Sequence, residues 1–208
     1  SKMNKFFIVT MSLIFTLIFS MGVIFMFIVK PSLNNECTKN IVAKGSAKIG
    51  GHFKLTDVNN IEVSSKIFIT EPSLIYFGYS YCPDVCPYDL QRNVIAIDIL
   101  QEKGTSITPI FITIDPLRDT ADRLKEFSNF IHPKLLALTG SENAIKKVMK
   151  IFKVYGKKSN NGEEDNTNYL MDHSAFTYLV DSSGKFIDYF NRRISAEEMA
   201  DRITCFLK

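Results

Sequence analysis

The chain's most reactive pattern is Cys82-Pro83-Asp84-Val85-Cys86-Pro87, two cysteines with three residues between them, each followed by proline. They follow an apolar run, Leu74-Ile75-Tyr76-Phe77-Gly78-Tyr79, that reads as a buried strand. Proline disfavours the helical conformation in the residue before it. Both cysteines are therefore expected to be extended, in the turn leaving the strand, with Pro87 as the first residue of a helix. Thiols at a helix N-terminus have lowered pKa values and serve as nucleophiles or metal ligands. The three-residue gap, against the two of a C-x-x-C redox motif, permits a plain disulfide, thiol exchange, or two thiolates on one soft metal ion.

A third donor is available in Asp172-His173-Ser174. Two thiolates and one imidazole make a three-ligand site. Structural zinc normally takes four protein ligands, and no fourth Cys or His is obviously supplied, so copper fits better. Spacing alone leaves His52 and His132 as alternatives to His173. Asp115, which ends an apolar run before Pro116, is either a turn residue or a group near the metal; Asp84 reads as a solvated turn carboxylate. Cys37 and Cys205 stand apart from the site pattern, Cys205 within the last helix.

The elements that must position these residues can be read in order. Phe53 and Leu55 alternate with Lys54 and Thr56, and Ile61 and Val63 flank Glu62, giving a hairpin turning at Asn59-Asn60. The central strand spans 73–79. A helix of about 87–102 follows, with Gly104 as its cap. Thr108–Ile114 is a strand, Thr120 opens a second helix, and Leu135–Leu138 is a short strand. Ser141 caps a third helix reaching about Tyr155. Residues 156–170 read as a long polar loop, and His173 as lying just before the strand Ala175–Val180. Lys185–Phe190 pairs back across the Asp181–Gly184 turn, and Ser195 caps a final helix. Alternating strands and helices with hairpins at both ends predict an α/β fold with a central mixed sheet flanked by helices.

Residues 6–29 hold no charge and are mostly Phe, Ile, Leu, Val and Met. As a helix they would extend roughly 36 Å, enough for a ~30 Å hydrocarbon core. The organisation expected is a cytoplasmic N-terminus at 1–5, a transmembrane anchor at 6–29, a juxtamembrane linker at 30–48 and one folded domain at 49–208. Lys2 and Lys5 before the span, against Lys30 close after it, favour export of the domain. These three lysines account for the net charge of +3, and the rest of the chain is balanced. Nothing in that balance suggests a nucleic-acid footprint, which needs a clustered basic face.

Three segments, Tyr76–Pro87, Thr113-Ile114-Asp115-Pro116-Leu117-Arg118-Asp119-Thr120 and Asp172–Asp181, resemble the SCO/SenC family in the same order. The resemblance runs from about Gly50 to the C-terminus. It implies a membrane-tethered, thioredoxin-like copper protein that helps assemble the binuclear copper centre of cytochrome c oxidase subunit II. Cys82, Cys86 and His173 fall on the family's copper ligands, for one Cu(I) or Cu(II) ion per domain, and Asp115 on an acidic position near the site. The partners implied are subunit II, the inner membrane and other copper chaperones, with the domain on the periplasmic or intermembrane-space side. Leu117 departs from the family, which commonly has Glu there, and leaves the ligand set intact. Thioredoxin-like redox enzymes typically place a proline opposite their cysteines. Here no proline follows Pro133, and the comparable segment carries His173. A thiol–disulfide reductase using Cys82 and Cys86 is the alternative reading. A peroxide-reducing enzyme fits poorly, because it needs a single activated cysteine and a nearby Arg.

Overall fold

The computed structural model describes residues 7, 10–21, 48–159 and 169–207. The chain divides into two units, Ser1–Thr38 and Lys39–Lys208. In the first, residues 10–21 are helical (α1). Among the described residues no helix is long and apolar enough to cross a membrane. Part of the expected 6–29 anchor, and the linker up to residue 47 with Cys37, lie outside them.

In the second unit, β1 (Lys54–Asp57) and β2 (Glu62–Ser64) form the expected hairpin. Its turn works without glycine. Asp57 Oδ1 accepts from the N–H groups of Asn59 (2.8 Å) and Ile61 (2.9 Å), and Asn60 takes the left-handed conformation at φ 61°. A single helical turn, α2 (Ser65–Phe68), leads to the central strand β3 (Ser73–Gly78). Then come α3 (Val85–Glu102), β4 (Thr108–Thr113), α4 (Ala121–Ile131), β5 (Leu136–Thr139) and α5 (Glu142–Phe152). Short strands β6 (Gly156–Lys158) and β7 (Met171–His173) precede β8 (Thr177–Val180), β9 (Phe186–Phe190) and α6 (Ala196–Leu207).

Seven strands make one mixed sheet in the order β2-β1-β5-β4-β3-β8-β9. β4 runs parallel to β3 and β5, while β1, β8 and β9 enter antiparallel. Every residue of β3 is buried, as a strand covered on both faces requires. Alternation then assigns the faces. Leu74 shares a core cluster with Ile97 and Leu100 of α3 and Met199 and Ile203 of α6. Ile75 and Phe77 share one with Ile145, Val148 and Phe152 of α5. Thr120 and Ser141 cap α4 and α5 as expected, accepting from Arg123 N (3.2 Å) and Ala144 N (3.2 Å), each worth about 1 kcal/mol.

Several expectations are corrected. Helix α3 begins at Val85, so Cys86 is helical and Pro87 lies inside the first turn. The first-turn N–H groups have no intrahelical acceptor, so a proline there removes no needed donor. The N–H of Tyr88 still reaches Asp84 O, at 3.5 Å. Helix α5 stops at Phe152 because Lys153 turns left-handed at φ 57°. The segment expected as an unbroken loop at 156–170 instead opens into β6, which pairs antiparallel with β7. His173 is thus the last residue of a strand; residues 160–168 lie outside the described residues.

Candidate metal centre

Three elements deliver one donor each. Cys82 sits in the turn after β3, its N–H bonded to Tyr79 O at 3.2 Å. Cys86 rides the first turn of α3, and His173 ends β7. One donor atom of each lies within 4.8 Å of both others. Two donors each ~2.0–2.3 Å from one ion are at most ~4.6 Å apart, so only a small inward adjustment separates this arrangement from three-coordinate distances. Cys86 Sγ and His173 Nε2 are 3.4 Å apart.

The turn of Cys82 is built by a buried carboxylate that the sequence reading passed over. Asp119 accepts from Ser80 N (3.0 Å), Ser80 Oγ (2.6 Å) and Thr113 Oγ1 (2.6 Å), tying the cysteine turn to the end of β4. Burial pushes its pKa up against these hydrogen bonds. Asp84, the N-cap residue of α3, makes no capping bond with its side chain. The sulfur of Cys82 takes that place, accepting the N–H of Cys86 at 3.4 Å. A hydrogen bond from the Cys86 thiol foremost, with a smaller contribution from this backbone N–H, lowers the Cys82 pKa despite burial. Cys86 is driven upward, first by donating to Cys82 and then by burial. The two shifts run in opposite directions, favouring negative charge on Cys82 and the proton on Cys86.

Gly78 makes the close packing of Cys86 possible. A Cβ there would lie 2.9 Å from Cys86 Sγ, 3.0 Å from Tyr76 Cε1 and 3.1 Å from Phe111 Cε2. The period-2 alternation of β3 aims position 78 at α3, as it does Leu74 and Tyr76. Behind the cysteine, Tyr76 donates to Asp89 Oδ2 at 3.2 Å. Burial, the largest effect, raises the Asp89 pKa, although Arg92 Nη1 lies 3.5 Å from Oδ1. Arg92, Asn93 and Thr177 extend this buried polar layer to β8.

The imidazole is oriented for ligation. Its Nδ1 lies 3.0 Å from Ser174 O, an acceptor, so the proton sits on Nδ1 and the lone pair of Nε2 faces the sulfurs. The rings of Tyr76 and Tyr79 stand edge-on to it at 6.4 and 5.9 Å. Cys82 and His173 line an open cavity of about 390 Å³ together with Tyr79, Asp84 and Arg192, and Cys86 is buried. A larger cavity, about 550 Å³, shares Met171 with it and includes none of the three donors.

The other candidates stand elsewhere. His52 is exposed before β1. His132 accepts from Lys134 N through Nδ1 at 3.1 Å. Cys205 lies in α6, and Asp84 is exposed. Asp115 is buried outside the donor cluster, its carboxylate engaged by Arg118 Nε (2.6 Å) and the Tyr169 hydroxyl (2.7 Å). Tyr79 belongs to an alternating aromatic set that reads as core or site wall, and Arg118 lies within the Thr113–Thr120 segment, but the spacing of Arg118 and Tyr169 gives neither a role.

The chain matches the SCO1/SenC family over residues 42–208. It is 43% identical over 171 residues to Protein SenC of Rhodobacter capsulatus, covering 82% of this chain and 76% of that protein. Arabidopsis thaliana ScoI, solved with copper bound, aligns at 34% identity with a TM-score of 0.72, over 76% of this chain and 98% of that one. Bradyrhizobium japonicum ScoI, also solved with copper bound, aligns at 37% identity and a TM-score of 0.67, over 76% and 99%. The fold is accordingly the Sco-type thioredoxin-like α/β arrangement around a mixed sheet. The chain belongs to the SCO1/SenC family.

Proposed function

We propose that this chain binds one copper ion as cargo through Cys82, Cys86 and His173. It would deliver that ion to, or assist assembly of, the binuclear copper centre of cytochrome c oxidase subunit II. The observation that carries the reading is the convergence of two sulfurs and one imidazole nitrogen within 4.8 Å. Soft thiolates select Cu(I) and imidazole suits copper, and the relatives solved with copper bound support the same metal. The donor set also suits a carrier. Cys82 and His173 face an open cavity while Cys86 lies beneath, so an acceptor's thiolates can approach from one side and exchange ligands stepwise. Metal binding displaces the proton of the Cys86 thiol. On this reading residues 49–208 carry the site, held at the inner membrane by an anchor at 6–29 with the domain on the periplasmic or intermembrane-space side. Asp115 serves the site from outside the ligand set, and other copper chaperones supply the ion.

The thiolate–thiol pair favours a second reading, a membrane-anchored thiol–disulfide reductase. The Cys82 thiolate would attack an acceptor disulfide, Cys86 would give up its thiol proton and resolve the mixed disulfide, and the acceptor would leave with two electrons, that proton and a second from solvent, with Cys82 and Cys86 joined as a disulfide. Anaerobic titration of the reduced protein with Cu(I), then Cu(II), followed by visible spectra, separates the two. The copper reading expects a thiolate-to-Cu(II) charge-transfer band that His173→Ala abolishes while thiol exchange persists. Absence of copper binding by the unaltered protein overturns it.

A further inference from the structure

We infer that Tyr169 is a positioning residue for His173, latching the β6–β7 hairpin to the end of β4 and so setting whether the imidazole reaches the cysteine pair. Among the described residues β6 and β7 pair with each other and with no strand of the seven-stranded sheet. Their register is three residue pairs long, Gly156↔His173 at one end and Lys158↔Met171 at the other. Such a ribbon is marginal by itself, so its place over the cysteines depends on links from outside it.

Tyr169, two residues before β7, supplies them through its hydroxyl, its carbonyl and its ring. Its hydroxyl donates to Asp115 Oδ1 at 2.7 Å, and its carbonyl accepts from Arg118 Nη1 at 2.8 Å. Its ring carries the Arg118 guanidinium at 3.6 Å and the Lys158 ammonium of β6 at 4.1 Å from its centroid. Arg118 in turn binds Asp115 Oδ2 through Nε at 2.6 Å, and Asp115 N donates to Thr113 Oγ1 at 2.9 Å. The chain of contacts therefore ends on the rigid sheet at β4. A second link runs parallel to it, the Met171 N–H donating to the Tyr79 hydroxyl at 3.2 Å. With Tyr169 released, β7 keeps that bond alone among these links, and the histidine four residues beyond Tyr169 loses its fixed approach to Cys86. The latch gives Asp115 a role at the site that needs no contact with the metal.

This inference rests on the copper reading for its consequence, and the test separates the two. Tyr169→Phe keeps the ring and removes the bond to Asp115; Arg118→Gln removes the cation from both partners. In metal-free protein, amide exchange of Met171 and His173 is measured against that of Ile110 and Phe111 in β4. The latch expects faster exchange in Tyr169→Phe at the first pair and no change at the second. In copper titrations it expects Cu(II) affinity to fall about 10- to 100-fold, the usual effect of losing a group that orients a ligand. The Cu(II) charge-transfer band would weaken, toward its loss in His173→Ala, and Cu(I) affinity, held by two thiolates, would fall less. Unchanged exchange at Met171 and His173 in Tyr169→Phe overturns the latch. So does accelerated exchange with unaltered Cu(II) affinity and spectrum. If the unaltered protein binds no copper, the functional reading fails, and so does the histidine-positioning role for metal; the exchange data still decide whether Tyr169 holds the hairpin. A folding defect in Arg118→Gln leaves the decision with Tyr169→Phe.

Discussion

Gly78→Ala is the sharpest test of how the site is packed. Gly78 does not adopt a positive φ, so alanine costs nothing in backbone conformation and would, in open space, stabilise by about 0.4–1 kcal/mol. The space is not open. The new methyl would meet Cys86 Sγ at 2.9 Å, Tyr76 Cε1 at 3.0 Å and Phe111 Cε2 at 3.1 Å. Tyr76 and Phe111 are fully buried in the core, so neither ring can retreat without moving its neighbours. The sulfur can, by rotating about its Cα–Cβ bond. Comfortable contact lies near 3.5–4.0 Å, so it must withdraw by about 0.6 Å or more. Ligand distances in a working metal site hold within about 0.2 Å. The expected result is a loss of about 1–3 kcal/mol in urea unfolding, the usual cost of overpacking, with weakened copper binding in the same protein. That loss corresponds to roughly 2–4 °C in melting temperature per kcal/mol for a domain of this size. Gly140→Ala is the control, since its Cβ meets only Leu55 Cδ2 as closely as 3.3 Å. Gly78→Ala as stable as the unaltered protein and binding copper equally well would refute the packing argument.

Asp119 provides a pH test. Its folded pKa is raised by burial, so folded protein holds the proton more tightly than unfolded protein does, and stability falls as pH rises from the ordinary Asp value through the folded one. Asp119→Asn should lack that decline, which chemical denaturation at pH values from about 4 upward reads directly; parallel profiles would count against it. Thr177→Val removes the hydroxyl that accepts from Asn93 Nδ2 (2.9 Å) and Arg92 Nη2 (3.1 Å). Two buried donors then lose an acceptor, and unfolding should show a loss of about 1–3 kcal/mol, whereas a change within experimental error would show that the layer readjusts.

The alternation of Phe53 and Leu55, the wholly apolar 74–77 run and the helical spacing of Leu90, Val94 and Ile97 sufficed for the mixed α/β reading, because burial period follows directly from side-chain order. Local rules failed where tertiary contacts outweighed them. Pro87 does not keep Cys86 extended, because the first turn of α3 tolerates it. The polar stretch after Phe152 folds into β6, because β7 supplies a partner that no local pattern announces. The pairing of Arg118 and Asp115 with Tyr169 left no mark in the sequence, since a cluster spread over 54 positions has no periodicity.

The sequence by itself determined the chemical kinds: two closely spaced thiols at a helix start, one histidine after a polar stretch, and motifs in family order. Thiol reactivity and burial preference are properties of residue type and near neighbours, and a single chain displays both. The family resemblance already singled out His173; only the tertiary structure decided how close it and Cys86 come, and what holds the imidazole there. By residue type His52, His132 and His173 are equal, and the 86 residues between Cys86 and His173 carry no information about distance. The β6–β7 pairing, the latch on Asp115 and the bare Cα of Gly78 supply it, because each is a contact between segments that meet only when the sheet has formed.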